Sequence, residues 1–261
     1  MNLDLSGKRA VVCGSTQGIG KASAIELAKL GANVTLIARD SEKLKAVISE
    51  LDKMRGQNHN FIIADFSFPD QLEKKIQEFV SNNTVEILVN NTGGPPAGPA
   101  IDAIAESFVK AFSEHLLCNH ILVQAVVPGM KIAKYGRIIN IISTSVKIPL
   151  KGLGVSNSIR GAVANWSKTL AGELASFGIT VNNVLPGATM TGRLAAVLEG
   201  KASQSGKSFE AVKKEMIDEI PAKRIAEPEE VAAAVAFLAS PAASYINGIN
   251  IPVDGGRTGS L

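Results

Sequence analysis

Cysteine, histidine, tyrosine and tryptophan are all scarce in this 261-residue chain, which holds two, three, two and one of them. Cys13 and Cys118 stand far apart among apolar neighbours, with no C-x-x-C spacing. That argues against a disulfide framework or a redox pair, and for a reduced, cytoplasmic setting. Nothing suggests a cluster with metal-ligand spacing, so no metal is expected. An excess of one charge is also lacking. Lys and Arg number 27 against 24 Asp and Glu, a formal net charge of +3, with no basic block. Nucleic acid is therefore not an expected partner. No apolar run approaches the roughly 20 residues of a membrane-spanning helix, so no membrane association is expected either. The opening MNLDLSGK carries Asp4 and no apolar stretch, which argues against a signal peptide.

What the chain does have is an ordinary globular composition, 46% hydrophobic and 20% charged, with a regular alternation of patterns. KRAVVCG reads as a strand and GKASAIELAKLGA as a helix closed by Gly31. NVTLIARD is a strand, and SEKLKAVISELDKMRG a helix capped by Ser41. NFIIADF and EILVNNTG are strands separated by the helical PDQLEKKIQEFVSNN. A long helical stretch from Ile104 to Ala133, with a break inside it, precedes the strand YGRIINIIS. A helix through Trp166, the strand GITVNNVLPG, the helix PEEVAAAVAFLAS and the strand GINIPVDGG complete the chain. Repeated βα units with continuously apolar strands predict an α/β fold, a doubly wound parallel sheet covered on both faces. No linker divides the chain, so residues 1–261 form one domain. The segment 189–228, containing EGKASQSGKS, is its least regular part and a candidate mobile lid.

Between the first strand and first helix, VVCGSTQGIGKAS places Gly14, Gly18 and Gly20, with Ser15, Gln17 and Ile19 among them. Glycines let a backbone turn sharply and approach a pyrophosphate, and the following helix start offers free N–H groups and a partial positive charge. This is the context in which a glycine trio signals a dinucleotide site. The second strand ends IARD. Arg39 stands where a guanidinium could hold a 2′-phosphate, which favours NADP(H), while Asp40 leaves room for NAD(H).

These motifs in order resemble the short-chain dehydrogenase/reductase family, a Rossmann fold, across nearly the whole chain. The pattern is most similar to bacterial 3-oxoacyl-(acyl carrier protein) reductases. The resemblance implies an adenine contact from Asp65 in IADFS, with Phe66 beside it. It implies cofactor contacts from Asn91 and Gly93 in LVNNTGG, and from Pro186, Gly187 and Thr191 around VNNVLPGATMT. It implies a homo-oligomer, tetramer or dimer. The family's catalytic Asn, Ser, Tyr and Lys fall on His115, Ser143, Ser156 and Arg160, so only the serine is kept. The two tyrosines, Tyr135 and Tyr245, lie away from that helix. The stretches SNSIR, NTGGPP and SVKIP resemble a divergent branch in which Ser-Asn-x-x-Arg replaces Tyr-x-x-x-Lys.

The substitutions matter chemically. Carbonyl reduction needs a proton donor for the developing alkoxide. Ser156 can donate a hydrogen bond but is a far weaker acid than tyrosine. Arg160 stays charged; it can hold nicotinamide ribose hydroxyls and stabilise an alkoxide, but passes no proton easily. Lys147, four residues past Ser143, and His115 could fill the gap. Read plainly, Lys147 is a rim loop residue and His115 a hydrogen-bonded helix residue. The leading expectation is an NADP(H)-dependent oxidoreductase acting on a carbonyl such as a 3-oxoacyl thioester. The alternative is a nicotinamide-nucleotide-binding protein without turnover, a sensor or assembly subunit. A third option is another reaction in which Ser156 and Arg160 bind a substrate anion.

Overall fold

In the computed structural model, which describes residues 1–260, strand β1 (Arg9–Cys13) shows how the core is built. Ala10 and Val12 enter one buried cluster, Val11 and Cys13 another. Successive side chains of a strand point to opposite faces, so both faces of this one carry an apolar layer. Strands β2 (Asn33–Ala38), β3 (Asn60–Ile63), β4 (Ile87–Asn90), β5 (Gly136–Ile141), β6 (Ile179–Pro186) and β7 (Asn250–Val253) join it in one sheet. The order is β3-β2-β1-β4-β5-β6-β7, every pairing parallel. The expected doubly wound α/β fold is present.

The connecting helices are α1 (Gly18–Lys29), α2 (Ser41–Glu50), α3 (Pro69–Val80), α4 (Ala105–Phe112), α5 (Cys118–Ala133), α6 (Gly154–Leu174), α7 (Gly192–Ser205), α8 (Phe209–Asp218) and α9 (Pro228–Ala239). Leu27 of α1, Leu44 of α2 and Val231 and Val235 of α9 cover one face. Leu72 of α3, Leu122 and Val126 of α5 and Ala171 of α6 cover the other. Truncating such a leucine to alanine costs about 2–5 kcal/mol, transfer and cavity terms together.

Four asparagines interrupt these apolar strands. Asn90, Asn140, Asn183 and Asn250 are neighbours in register on β4 to β7. Asn90 Nδ2 donates to Asn140 Oδ1 at 2.8 Å, and Asn140 Nδ2 to Asn183 Oδ1 at 3.1 Å and Ser167 Oγ at 2.9 Å. Asn183 Nδ2 donates to Asn250 Oδ1 at 2.8 Å. A one-residue slip of any strand would break this ladder inside the protein, so it pins the register.

Four local expectations need correction. Asp40, not Ser41, caps α2: its Oδ1 accepts from the backbone N–H of Glu42 and Lys43, both at 3.1 Å. A carboxylate there also suits the positive end of the helix. The expected break between residues 104 and 133 is instead one wider, π-helical turn, Ser113–Leu117, between α4 and α5. That run, Ala105–Ala133, is long and apolar enough by composition to cross a bilayer, contrary to expectation. Here Leu122, Val126 and Met130 are buried against the sheet. Segment 189–228 is not irregular. Thr191 Oγ1 accepts from Leu194 N–H at 3.3 Å and Ser208 Oγ from Ala211 N–H at 3.2 Å, capping α7 and α8. Leu198, Val212 and Met216 form a small core of the segment's own. Its ends meet where Ala226 N–H donates to Ala188 O at 3.0 Å and Met190 N–H to Ala226 O at 2.8 Å.

Candidate active site

Strands β1 and β4 are neighbours, with the sheet growing outward from them in both directions. At this switch point the connections leave toward opposite faces and open a crevice beyond the strand ends. Gly14 leaves β1 there with φ +57°, and Gly18 opens α1 with φ +53°. Both lie in the left-handed region that glycine alone adopts freely. Gly20 is required for another reason: a Cβ on it would stand 2.2 Å from Gly14 O and 2.7 Å from Asn91 Nδ2. Asn91, just past β4, donates from Nδ2 to Cys13 O at 3.3 Å and Gly14 O at 3.2 Å, locking the turn. Ser15 is buried, with its hydroxyl 3.4 Å from Ile37 O. The N-cap Gln17 gives no side-chain bond to α1. The first N–H groups of the helix, around Ile19, are left for an anion.

Thr191 and Gly18 are in contact: a Cβ on Gly18 would lie 3.1 Å from Thr191 Cγ2, so the start of α7 closes over the turn. Gly187, after Pro186 at the end of β6, packs so closely on Asp254 that a Cβ would stand 2.6 Å from its Cβ. Nothing stands within 4 Å of a Cβ position on Gly93. This cradle of close-packed glycines around an uncapped helix start fits a dinucleotide pyrophosphate. At its far end the Arg39 side chain is 76% exposed, with Nη1 3.8 Å from Asp65 Oδ2. Phe66 follows, its carbonyl accepting from Cys118 Sγ at 3.3 Å. Burial pushes the Cys118 thiol up to about 12 and that of Cys13 higher still, so both are inert. Asp40 is already engaged as the α2 cap.

The candidate catalytic residues gather at the ends of β4 and β5. Ser143 caps the short turn Thr144–Val146, its Oγ accepting from Ser145 N–H at 3.1 Å. As an acceptor in that bond it keeps its own proton for a further partner. Ser156 and Arg160 are one helical turn apart on α6, and both are buried. Arg160 Nη1 donates to Ile141 O at 3.1 Å. Burial, and then the nearby charge of Arg193, bring Arg160 down to about 10, which leaves it cationic at neutral pH. Lys147 is half-buried in the loop after the Thr144–Val146 turn.

His115 is corrected as a proton source. It sits in the π-helical turn, a geometry that often marks functional positions, with Nδ1 hydrogen-bonded to Thr92 Oγ1. Burial, with the charges of Arg160 and Arg193, lowers it to about 3. Its ring is therefore neutral at physiological pH and carries no acidic proton of imidazolium type.

Two residues escaped the sequence reading. Asn157, inside the SNSIR stretch, clamps the loop before α6: Nδ2 donates to Leu150 O at 2.8 Å, and Leu150 N–H to Oδ1 at 3.4 Å. Its place beside Ser156 was the available signal. Arg193 of α7 reaches to the loop after β4, donating to Gly94 O and Pro95 O, both at 2.8 Å. No local pattern marks it. The same loop is tied to the start of α6 by Gly98 N–H to Gly152 O at 2.7 Å and Gly154 N–H to Gly98 O at 3.0 Å.

The chain matches, over residues 14–258, the family model described as enoyl-(acyl carrier protein) reductase. It is 37% identical over 256 residues to a tropinone reductase homolog of Arabidopsis thaliana, covering 97% of this chain and 93% of the relative. It is 34% identical over 253 residues to a 3-oxoacyl-(acyl carrier protein) reductase of Staphylococcus epidermidis, covering 95% and 98%. Among solved structures it is similar to L-sorbose reductase from Gluconobacter frateurii complexed with NADPH and L-sorbose. The TM-score is 0.92 at 31% identity, each chain covered in full.

Proposed function

The chain belongs to the short-chain dehydrogenase/reductase family, an NAD(P)-dependent oxidoreductase of that fold, and from there we propose that it is an NADP(H)-dependent carbonyl reductase with an atypical acid. The observation that carries this reading is the Gly14–Gly20 turn locked by Asn91, a cradle with no other evident use. NADP(H) is favoured because Arg39 is exposed and only weakly held by Asp65, while Asp40, the residue NAD would use, is engaged at the α2 cap. A 3-oxoacyl thioester is the first substrate class to assay, in line with the Staphylococcus relative.

When bound, the nicotinamide supplies a hydride to the carbonyl carbon, so ketone, reduced cofactor and a proton give alcohol and oxidised cofactor. The chain does the rest. The turn and the α1 start hold the pyrophosphate, and Thr191 closes over it. Ser143 and Ser156 offer hydroxyl hydrogens to the carbonyl oxygen, and the fixed charge of Arg160 stabilises the alkoxide. With His115 neutral and Arg160 staying charged, the proton reaches that oxygen from solvent through a hydroxyl or from Lys147 in the loop after Ser143. Helices α7 and α8 act as a lid swinging on the Ala188–Met190 and Ala226 stem. The apolar groove between α5 and α6, lined by Val123, Val127 and Leu170, supports a homo-oligomer.

The test is NADPH oxidation with acetoacetyl and longer 3-oxoacyl thioesters. Turnover that falls at least about a hundredfold in Ser143→Ala supports the reading, the loss expected for a group aimed at the developing charge. The missing Tyr and Lys favour a second reading, nucleotide binding without turnover. Tight NADPH binding with no reduction of any carbonyl would establish it instead.

A further inference from the structure

Three nitrogen-bearing side chains, of Arg160, Arg193 and His115, converge around the loop after β4. Arg193 holds this loop through the carbonyl oxygens of Gly94 and Pro95. Two residues earlier on it, Thr92 is hydrogen-bonded to His115 Nδ1. Arg160 is buried close by, held through Ile141 O. The charges of Arg160 and Arg193 both act on His115, and that of Arg193 acts on Arg160. Their hydrogen-bond acceptors are neutral carbonyls, so neither charge is cancelled. Among the described residues neither Arg160 nor Arg193 forms an ion pair with a carboxylate.

A second observation is independent of charge. His115 is 1% exposed, and its Nε2 has no hydrogen-bond partner. The Thr92–His115 bond fits either tautomer; in the one where the Thr92 hydroxyl donates to Nδ1, Nε2 carries the ring proton and is a buried donor without an acceptor. Leaving such a group unpaired is costly, which makes an incoming acceptor favourable. Two guanidinium groups and an orphaned N–H call for an anion with several lone pairs, and a planar guanidinium matches a carboxylate best.

We propose that the carbonyl substrate carries a carboxylate, gripped by Arg193 and Arg160 with His115 Nε2–H as a further donor, so that an oxo acid is preferred to the matching neutral ketone or ester, and the 3-oxoacyl thioesters named above are the poorer substrates. This rests on the reductase reading of the same site. Its anion differs from that of the obvious competitor, a role for Arg193 on the cofactor pyrophosphate.

The experiment is calorimetric titration of the full chain, free and NADPH-loaded, with pyruvate and acetoacetate and with their methyl esters. Saturable binding of an acid at least about tenfold tighter than its ester is expected, the margin of one charge-assisted contact. Arg193→Gln should erase that preference while NADPH affinity stays within about twofold, and Arg193→Lys should keep part of it. Equal binding of acid and ester, or binding of neither, overturns the proposal. So does an Arg193→Gln variant that weakens NADPH about tenfold and leaves the acids untouched, since the arginine then serves the pyrophosphate. If NADPH fails to bind at all, the reductase reading falls, while the titrations of the free chain still decide the anion site.

Discussion

His115 allows the electrostatics of the site to be tested through stability alone. An unfolded histidine titrates near 6.5, whereas burial and the two arginines hold the folded ring at about 3. The folded state thus disfavours the proton. The neutral ring's contribution is fully present above pH 6.5 and is lost as pH falls toward 3, because only the unfolded chain gains the proton in that window. At pH 5 the unfolded histidine is almost wholly charged, and the linkage relation gives a loss of about 2 kcal/mol relative to pH 8. The perturbation is His115→Asn, which keeps a polar side chain and removes the titration. The assay is urea unfolding of both proteins at pH 8 and pH 5, followed by the fluorescence of Trp166, the single tryptophan, which packs against two of the buried clusters. All other titrations are common to both proteins and cancel in the difference. Wild type minus variant should shrink by about 2 kcal/mol between the two pH values. A gap that stays constant, or widens toward acid, would refute the assignment of a buried, neutral, arginine-flanked imidazole.

Other outcomes follow from the same geometry. Gly20→Ala must push Gly14 O and Asn91 apart, so NADPH should bind at least about tenfold more weakly by titration. Gly200→Ala, in α7 with open space around it, should raise stability by up to about 1 kcal/mol in a melting experiment. Asn140→Leu strands the Asn90 side chain in the sheet interior and takes one of three partners from Asn183, and should cost about 1–3 kcal/mol in urea unfolding. Arg39→Ala should weaken NADPH about tenfold or more and change NADH by less than about twofold, read from the two dissociation constants.

The strands and the phosphate turn were legible because they rest on local rules. Short apolar runs rich in β-branched residues between turn signals read as strands, and Gly14 and Gly18 mark where the backbone takes positive φ. The α2 cap fell one residue from its expected place because aspartate and serine stand side by side and both can cap. The 189–228 segment misled because polar residues such as Lys201 and Gln204 face solvent on helices whose apolar side is only a few residues wide. The asparagine ladder was hidden: NN in two strands reads as a motif, and only strand register shows that Asn90, Asn140, Asn183 and Asn250 meet. The state of His115 lay beyond sequence reasoning altogether. It depends on burial, on Arg160 and on Arg193, the last brought from a distant helix to the loop that also holds Thr92.

The reductase reading depends on the turn between β1 and α1 receiving a nicotinamide dinucleotide. Fluorescence titration of the purified chain with NADPH and, separately, with NADH tests this most directly. Saturable binding of one dinucleotide per chain, with NADPH the tighter of the two, is the predicted result. No association of either nucleotide up to millimolar concentration would contradict the account.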